Sequence, residues 1–592
     1  MVSGKRIGGK RHRTFRNFFS CAFVNGTHFR RIMRWILFLM FAVGVSYACR
    51  EPPLFQEAGP LAETTTGPIV GKYVKVFDTD VAAFLGIPFG EPPVGQLRFS
   101  LPKPAAPWTG LRAAQTKPPP CPQWSPQPFA WAPTTPPSED CLQLNVWAPS
   151  RCSGGRPLPV MVWIHGGGFR MGSTDMDVYD GAVLASYGNV VVVSANYRLG
   201  AFGLLNAGTE DAPGNAALYD QVLALQWVRG NIARFGGDPD RVTIFGESAG
   251  AKSVSLHLVS PLSKGLFKRA LMQSGSMYHP ATSDAPEVAK QKTAEFAKLA
   301  GCGGQGDEML KCLRGKDFKE LAKLENGLKT RSIFLPSYGD SFMPVPPTAA
   351  YESGQLPAGV DVLSGTTKDE GTVFLPFIAP EVFRFNATLP SLTRQQAENF
   401  TRALFFQMMP KQAVDAVVDY YFNNLNATED GKEPEYARMV ADALGDSFFN
   451  CPTVFLAEKV SSGPRLYWLT YAAEFIPSAG SWLGVPHFSD VPYVFGAPIV
   501  DGTRYSPEDG KFSGDLIRMW ANFARDGHPL KDDADSWPSF THEDPVAMEL
   551  NPRASQLVTF PRFEVCDRLW RHLYTPTPSA SSSPLNQEHI EA

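Results

Sequence analysis

The chain predicts an α/β architecture built on a large, mostly parallel central sheet flanked by helices, and three observations carry that expectation. Short apolar runs, such as Pro159 to Ile164 and Val190-Val191-Val192-Val193, have the unbroken hydrophobic character of strands buried on both faces. They alternate with helical stretches, of which Leu218 to Trp227 is one, and that alternation argues for parallel strands covered by helices. Glycine clusters close two of the strands, at His165-Gly166-Gly167-Gly168-Phe169 and at Gly246-Glu247-Ser248-Ala249-Gly250. At 592 residues the length alone suggests more than one domain. No Pro/Gly/Ser linker or internal repeat divides the chain before its end, so one large domain from 49 to 574 is expected.

Residues 1–48 differ from everything that follows. They hold nine Lys or Arg and no acidic residue, with an apolar core from Trp35 to Val45 and small residues at Ser46-Tyr47-Ala48. That core is too short to span a bilayer comfortably and reads as a signal segment, with an uncleaved anchor as the alternative. Initiation at Met33 instead of Met1 would give a compact signal peptide. Removing the nine cations takes the formal net charge from -3 to -12, which speaks against nucleic acid as a partner.

The run from Pro159 to Ile164 empties into Gly166-Gly167-Gly168, where bare amides approach a substrate oxygen without a side chain in the way. An ordinary glycine turn fits the same residues until Ser248 is considered. There, the β-rich Arg241 to Phe245 precedes a G-x-S-x-G pentapeptide and the helical Ala251 to Leu258 follows it. Strand, sharp turn and helix is the context of a nucleophile elbow, which lifts a serine hydroxyl above the sheet edge. The helix that begins there aims its first amides and positive dipole end at an attacked carbonyl oxygen. The expected oxyanion donors are the amides of Gly167, Gly168 and Ala249.

A serine hydroxyl needs a base and a group to orient it. Ten histidines are present, so residue type alone does not choose. In hydrolases of this pattern the order is serine, then an acid, then histidine. Val362 to Gly371 reads as a short strand ending in an acidic loop, which places Glu370 at the carboxyl edge of the sheet. Gly484 to Gly496 places His487 in a loop before an apolar segment. By pattern alone each residue also fits a surface carboxylate or an ordinary loop histidine.

The motifs together resemble the type-B carboxylesterase family, which includes carboxylesterases, cholinesterases and the non-catalytic neuroligins. The matching stretches are Phe84 to Phe89, Glu91 to Gly95, Ser138 to Trp147, Asn196 to Gly200, and the segment from Pro213 to Gly250. The resemblance implies an α/β-hydrolase fold, a triad of Ser248, His487 and Glu370, and an oxyanion hole at Gly167, Gly168 and Ala249. It implies no metal and no organic cofactor. It also implies disulfides joining Cys121 to Cys141, Cys302 to Cys312 and Cys451 to Cys566. Phe488 departs from the family, which usually has glycine after the histidine.

Eight of the nine cysteines follow the leader, an even number that suits an oxidising compartment. Cys49 and Cys152 are left over, to pair with each other or with a second chain. Asn386, Asn399 and Asn426 begin glycosylation sequons. The Pro/Ser-rich segment 575–592 is too polar to form a core. Its last residues, His589 to Ala592, are similar to an endoplasmic-reticulum retention signal but end in alanine. Secretion is therefore expected, with the reticulum lumen as the alternative.

Resemblance places Trp131, Glu247 and Phe374 among the substrate-binding residues. Trp131 and Glu247 favour a choline ester, since a tryptophan face binds quaternary ammonium. Against choline, the family's pocket aromatics are replaced by Ala281 and Val373, and Arg170 occupies the position after Phe169. The expected activity is serine-dependent cleavage of small-molecule carboxylic esters with broad acyl tolerance, and a cholinesterase is the alternative. A binding protein on the same scaffold, of the neuroligin kind, is the remaining class, disfavoured because every catalytic group is retained.

Overall fold

A computed structural model describes residues 59–574, apart from 125–131, 134, 151–155, 327–332, 355, 358, 387, 424–434, 474–480 and 531–535. The leader with Cys49 and the tail from 575 lie outside the described residues, as do Trp131, Cys152 and the Asn426 sequon.

The sheet has eleven strands: β1 (Lys72–Val76), β2 (Thr79–Pro88), β3 (Gln143–Pro149), β4 (Leu158–Ile164), β5 (Val191–Ala195), β6 (Gly237–Glu247), β7 (Arg269–Gln273), β8 (Asp361–Thr367), β9 (Arg465–Leu469), β10 (Val546–Leu550) and β11 (Gln556–Thr559). Their order across the sheet is β1-β2-β3-β5-β4-β6-β7-β8-β9-β10-β11. The strands from β5 through β4 to β10 pair in parallel. The pairs β1 with β2, β2 with β3, β3 with β5 and β10 with β11 are antiparallel. The sheet is thus mixed, with the expected parallel pairing confined to its centre and antiparallel strands at both edges. The apolar runs mark the centre because those strands are covered on both sides, whereas three of the five residues of β1 are exposed, in the way of an edge.

Alternate side chains of the central strands feed two cores. Val160, Val162, Ile164, Ile244 and Met272 point to one face, where helix α2 (Ala216–Asn231) and helix α3 (Ala249–Val259) pack. Met161, Trp163, Phe245 and Leu271 point to the other, against α1 (Ala182–Gly188) and α4 (Pro507–Asp526). This two-residue alternation is what a strand imposes, and each large apolar side chain fully buried contributes roughly 1.5–3 kcal/mol. Helix α4 starts at a capping box between Ser506 and Asp509 and stops at Gly527, which takes a left-handed backbone.

Register does the positioning. Ile164 pairs with Gly246, Glu247 with Gln273, and Gln273 with Gly365. The parallel strands β4, β6, β7 and β8 therefore end at one edge of the sheet. The segments after them, carrying Gly166 to Gly168, Ser248, Ser274 and Glu370, all leave from that edge, where open α/β sheets build their sites.

Candidate active site

Ser248 is the turn itself. It links β6 to α3 at φ 56, ψ -119, a backbone conformation that few non-glycine residues adopt. The flanking glycines serve closeness instead of the unusual torsion: a Cβ on Gly246 would lie 2.6 Å from the Ile164 carbonyl oxygen, and one on Gly250 only 1.9 Å from it. Without side chains at both positions the helix seats directly on β4. The Ser248 amide donates to the Gln273 carbonyl at 2.9 Å, and the side chain is only partly buried.

Residues 117 positions apart are joined next to this turn. The His487 Nδ1 lies 2.6 Å from Glu370 Oε2. The other carboxylate oxygen, Oε1, accepts from the Thr367 amide at 2.7 Å and from Ser274 Oγ at 2.5 Å. Glu370 is thus fixed by three partners and is 1 % exposed. The two loops are pinned by Asp369: its amide donates to the Val485 carbonyl at 2.9 Å, and its Oδ2 accepts from the Val485 amide at 2.8 Å. Thr372 Oγ1 also donates to the Leu483 carbonyl at 2.7 Å.

The second imidazole nitrogen, Nε2, lies 2.8 Å from Glu247 Oε1. The approach is off the N–H axis, so neither atom gains an aligned hydrogen bond. The structure therefore brings His487 directly to Glu370, and to Ser248 through the neighbouring Glu247. Burial opposes charge on the imidazole, but Glu247 and Glu370 together outweigh it and raise the His487 pKa to about 10. Burial raises the pKa of Glu247, opposed chiefly by His487.

The glycine loop crosses in front of the turn. Gly167 and Gly168 have φ of 107 and 64, and a Cβ on Gly166 would meet Glu247 Oε2 at 2.5 Å and the Ser248 Cβ at 3.1 Å. No hydrogen bond from the amides of Gly167 or Gly168 is found among the described residues. The Ala249 amide opens α3, where a helix provides no internal acceptor. Asn196 to Gly200, one of the matching stretches, proves to be the brace of this loop. Tyr197 donates to the His165 carbonyl at 2.7 Å and stacks on the His165 ring at 4.4 Å, while Arg198 forms a buried ion pair with Asp220 at 2.7 Å.

Aromatic rings line the histidine. Phe374 lies 5.1 Å from the imidazole centroid and stacks on Phe449, which is 4.3 Å from it. Phe449 was not legible as a site residue. It occupies a π-helical turn, Asp446–Asn450, held in place by the Cys451–Cys566 disulfide that follows. Lys252, one helical turn past Ser248, was also missed, although a lysine in a helix with no other Lys, Arg, Asp or Glu was a visible signal. Its ammonium lies 5.7 and 5.5 Å from the ring centroids of Phe448 and Phe449. Val373 is buried, and Ala281 and Arg170 are half-buried. Phe488 has φ 83, so it retains the left-handed backbone that glycine would take there at no cost.

All three expected disulfides are formed: Cys121–Cys141, Cys302–Cys312 and Cys451–Cys566. Asn386 and Asn399 are exposed. Among the described residues no group of three or more metal-ligating side chains is found, and no helix is long and apolar enough to cross a membrane.

Residues 58–568 match the sequence profile of the Carboxylesterase family. A cholinesterase of Mus musculus is 38 % identical over 568 residues, covering 93 % of this chain and 90 % of that protein. An acetylcholinesterase of Bungarus fasciatus is 38 % identical over 539 residues, with 87 % and 86 % covered, and acetylcholinesterase-1 of Trittame loki is 36 % identical, with 87 % and 94 % covered. With the α/β-hydrolase sheet in place, these matches establish that the chain belongs to the carboxylesterase family and is a carboxylic ester hydrolase, a serine esterase of the cholinesterase and carboxylesterase type.

Proposed function

We propose that the protein is a carboxylesterase of broad specificity in which Ser248 is the nucleophile, His487 the general base and Glu370 the residue that orients the imidazole. The observation that supports this most is the fixed His487–Glu370 pair beside the strained Ser248 turn. Glu370 holds the proton at Nδ1, leaving Nε2 to accept the Ser248 proton as Oγ bonds to the ester carbonyl carbon. The carbonyl oxygen becomes an oxyanion held by the amides of Gly167, Gly168 and Ala249. His487 then passes that proton to the departing alcohol, and an acyl ester remains on Ser248. Water repeats the sequence: His487 takes its proton, hydroxide adds to the acyl carbon, and Ser248 recovers a proton as the acid leaves. Loss of one oxyanion donor costs about a hundred- to a thousandfold in turnover.

The raised pKa of His487 stabilises the imidazolium that forms during attack, while requiring a higher pH for the neutral base. Ala281 and Val373 leave the pocket open to varied acyl groups, and Arg170 does not welcome a cationic substrate. Choline-ester cleavage is the second reading, favoured by the buried Glu247 carboxylate and by the relatives' names. Hydrolysis of phenyl acetate and of acetylcholine by residues 49–574 distinguishes them. Faster turnover of phenyl acetate, lost in Ser248→Ala, supports the proposal; preference for acetylcholine supports the second reading. Secretion, removal of residues 1–48, a single catalytic domain from 49 to 574 and glycosylation at Asn386, Asn399 and Asn426 belong to the same proposal. The three disulfides suit an oxidising compartment.

A further inference from the structure

The helix that begins at Ser248 contains one residue that its surroundings do not explain. From Ala249 to Leu258 every side chain is buried except Lys252, which is half-buried. The Lys252 amide donates to the Ser248 carbonyl at 2.9 Å, so this residue stands one turn from the nucleophile on the same helix. Its ammonium rests near Phe448 and Phe449 at 5.7 and 5.5 Å, and Phe449 is the ring packed on His487 at 4.3 Å. One ring, that of Phe449, thus contacts both the cation and the base.

Ser255 Oγ donates to the Lys252 carbonyl at 2.7 Å, but among the described residues the Lys252 ammonium has no ion pair or hydrogen bond, although buried cations are ordinarily paired. The anion that acts on it is Glu247, whose Oε1 lies 2.8 Å from His487 Nε2. Burial lowers the Lys252 pKa to about 8, which Glu247 only partly opposes. His279 is the other titratable neighbour. Burial first, and the Lys252 charge second, bring its pKa down to about 3, so it stays neutral and does not neutralise or compete with the ammonium. Cation–π contact with two phenylalanines holds the ammonium in place but leaves its three donors available.

We propose that Lys252 is a specificity-determining residue that receives an anionic group of the substrate, and that the preferred class comprises carboxylic esters carrying a second, ionised carboxylate. This rests on the proposed esterase reading of the same site. A substrate carboxylate supplies the missing counter-ion at a half-buried site, where a charge-assisted hydrogen bond discriminates. The same ammonium disfavours a quaternary ammonium ester by like-charge repulsion.

The test compares ethyl hydrogen succinate with ethyl butyrate, which places the anion on the acyl side, and 4-acetoxybenzoate with phenyl acetate, which places it on the alcohol side. The four substrates are assayed with the wild type, Lys252→Met, Lys252→Arg and Ser248→Ala, by proton release for the alkyl esters and absorbance for the aryl esters. The expected result is that Lys252→Met lowers the ratio of kcat/KM for the anionic over the neutral ester by about ten- to a hundredfold in one pair. Lys252→Arg retains most of that ratio, and the affected pair identifies the side that faces the lysine. Unchanged ratios in both pairs, with a melting temperature near that of the wild type, overturn the proposal. Should Lys252→Met not fold, inhibition of the wild type decides: butyrate binding no more tightly than butyramide overturns it, and distinctly tighter binding supports it. Persistence of turnover in Ser248→Ala would instead overturn the esterase reading, so the two failures are separate.

Discussion

In the proposed triad the carboxylate of Glu247 sets the pH at which His487 becomes a usable base, and replacing it by glutamine is the informative perturbation. Oε1 lies 2.8 Å from Nε2, with Glu247 at 1 % and His487 at 6 % exposure, so solvent screens the pair little. Coulomb's law at that distance with an effective dielectric of about 20 gives about 6 kcal/mol, an upper figure for the attraction. Opposite charges this close ordinarily move a pKa by about one to three units. The sign follows from the active form: hydrolysis requires neutral His487, and Glu247 favours the charged one. Glu247→Gln therefore lowers the His487 pKa from its value of about 10 and moves the acidic limb of kcat/KM to lower pH by about one to three units. The assay is the pH profile of kcat/KM for phenyl acetate, a neutral substrate whose own charge does not change. A limb that stays in place, or moves to higher pH, would refute the assignment of Glu247 as the residue that biases the base.

The same linkage reaches stability. Because the folded pKa of His487 is raised from 6.5 to about 10, its pairing stabilises the fold fully below the unfolded value and is lost as pH rises through about 10. Thermal melts of the wild type should therefore decline more between pH 7 and 10 than those of Glu247→Gln. Ser274→Ala removes one of the two donors to Glu370 Oε1, a bond to a charged acceptor worth about 1.5–3 kcal/mol. If that energy holds the carboxylate in line, kcat falls about ten- to a hundredfold with KM little changed, as steady-state kinetics will show. Phe488→Gly relieves a backbone strain of about 1–3 kcal/mol but removes a buried ring worth about 3–5 kcal/mol, so denaturant unfolding should register a net loss of about 2 kcal/mol. Loss of Cys451–Cys566, which closes a separation of 115 residues, should destabilise the fold by about 2 kcal/mol more than loss of Cys302–Cys312, with its separation of 10, in the chain-entropy account. Paired Cys→Ala variants measured by denaturation check this difference.

What was legible in the sequence is what local pattern encodes. Val191 to Val193 and Val160 to Ile164 read as strands because both of their faces are buried, and Ser248 read as an elbow because strand, turn and helix are contiguous. The antiparallel edges were not read, since β1 and β2 carry mixed polarity and owe their pairing to neighbours across the sheet. His487 and Glu370 were found through resemblance and order; their union depends on Asp369 clasping Val485, a contact no local pattern announces. Ser274 was missed because its role follows from register, with β7 next to β8, and Phe449 because it sits on a π-helical turn that brings it to His487 only through the tertiary fold. The unusual torsion of the elbow belongs to Ser248, while its glycines permit close approach to Ile164.

The central claim is that ester cleavage passes through an acyl group on Ser248. Rapid quenching of the protein during hydrolysis of an activated neutral aryl acetate, followed by intact-mass and peptide analysis, tests it most directly. The account predicts the addition of one acetyl group, located on the peptide containing Ser248 and absent in Ser248→Ala along with turnover. Acylation at another residue, or undiminished hydrolysis by Ser248→Ala, would contradict it.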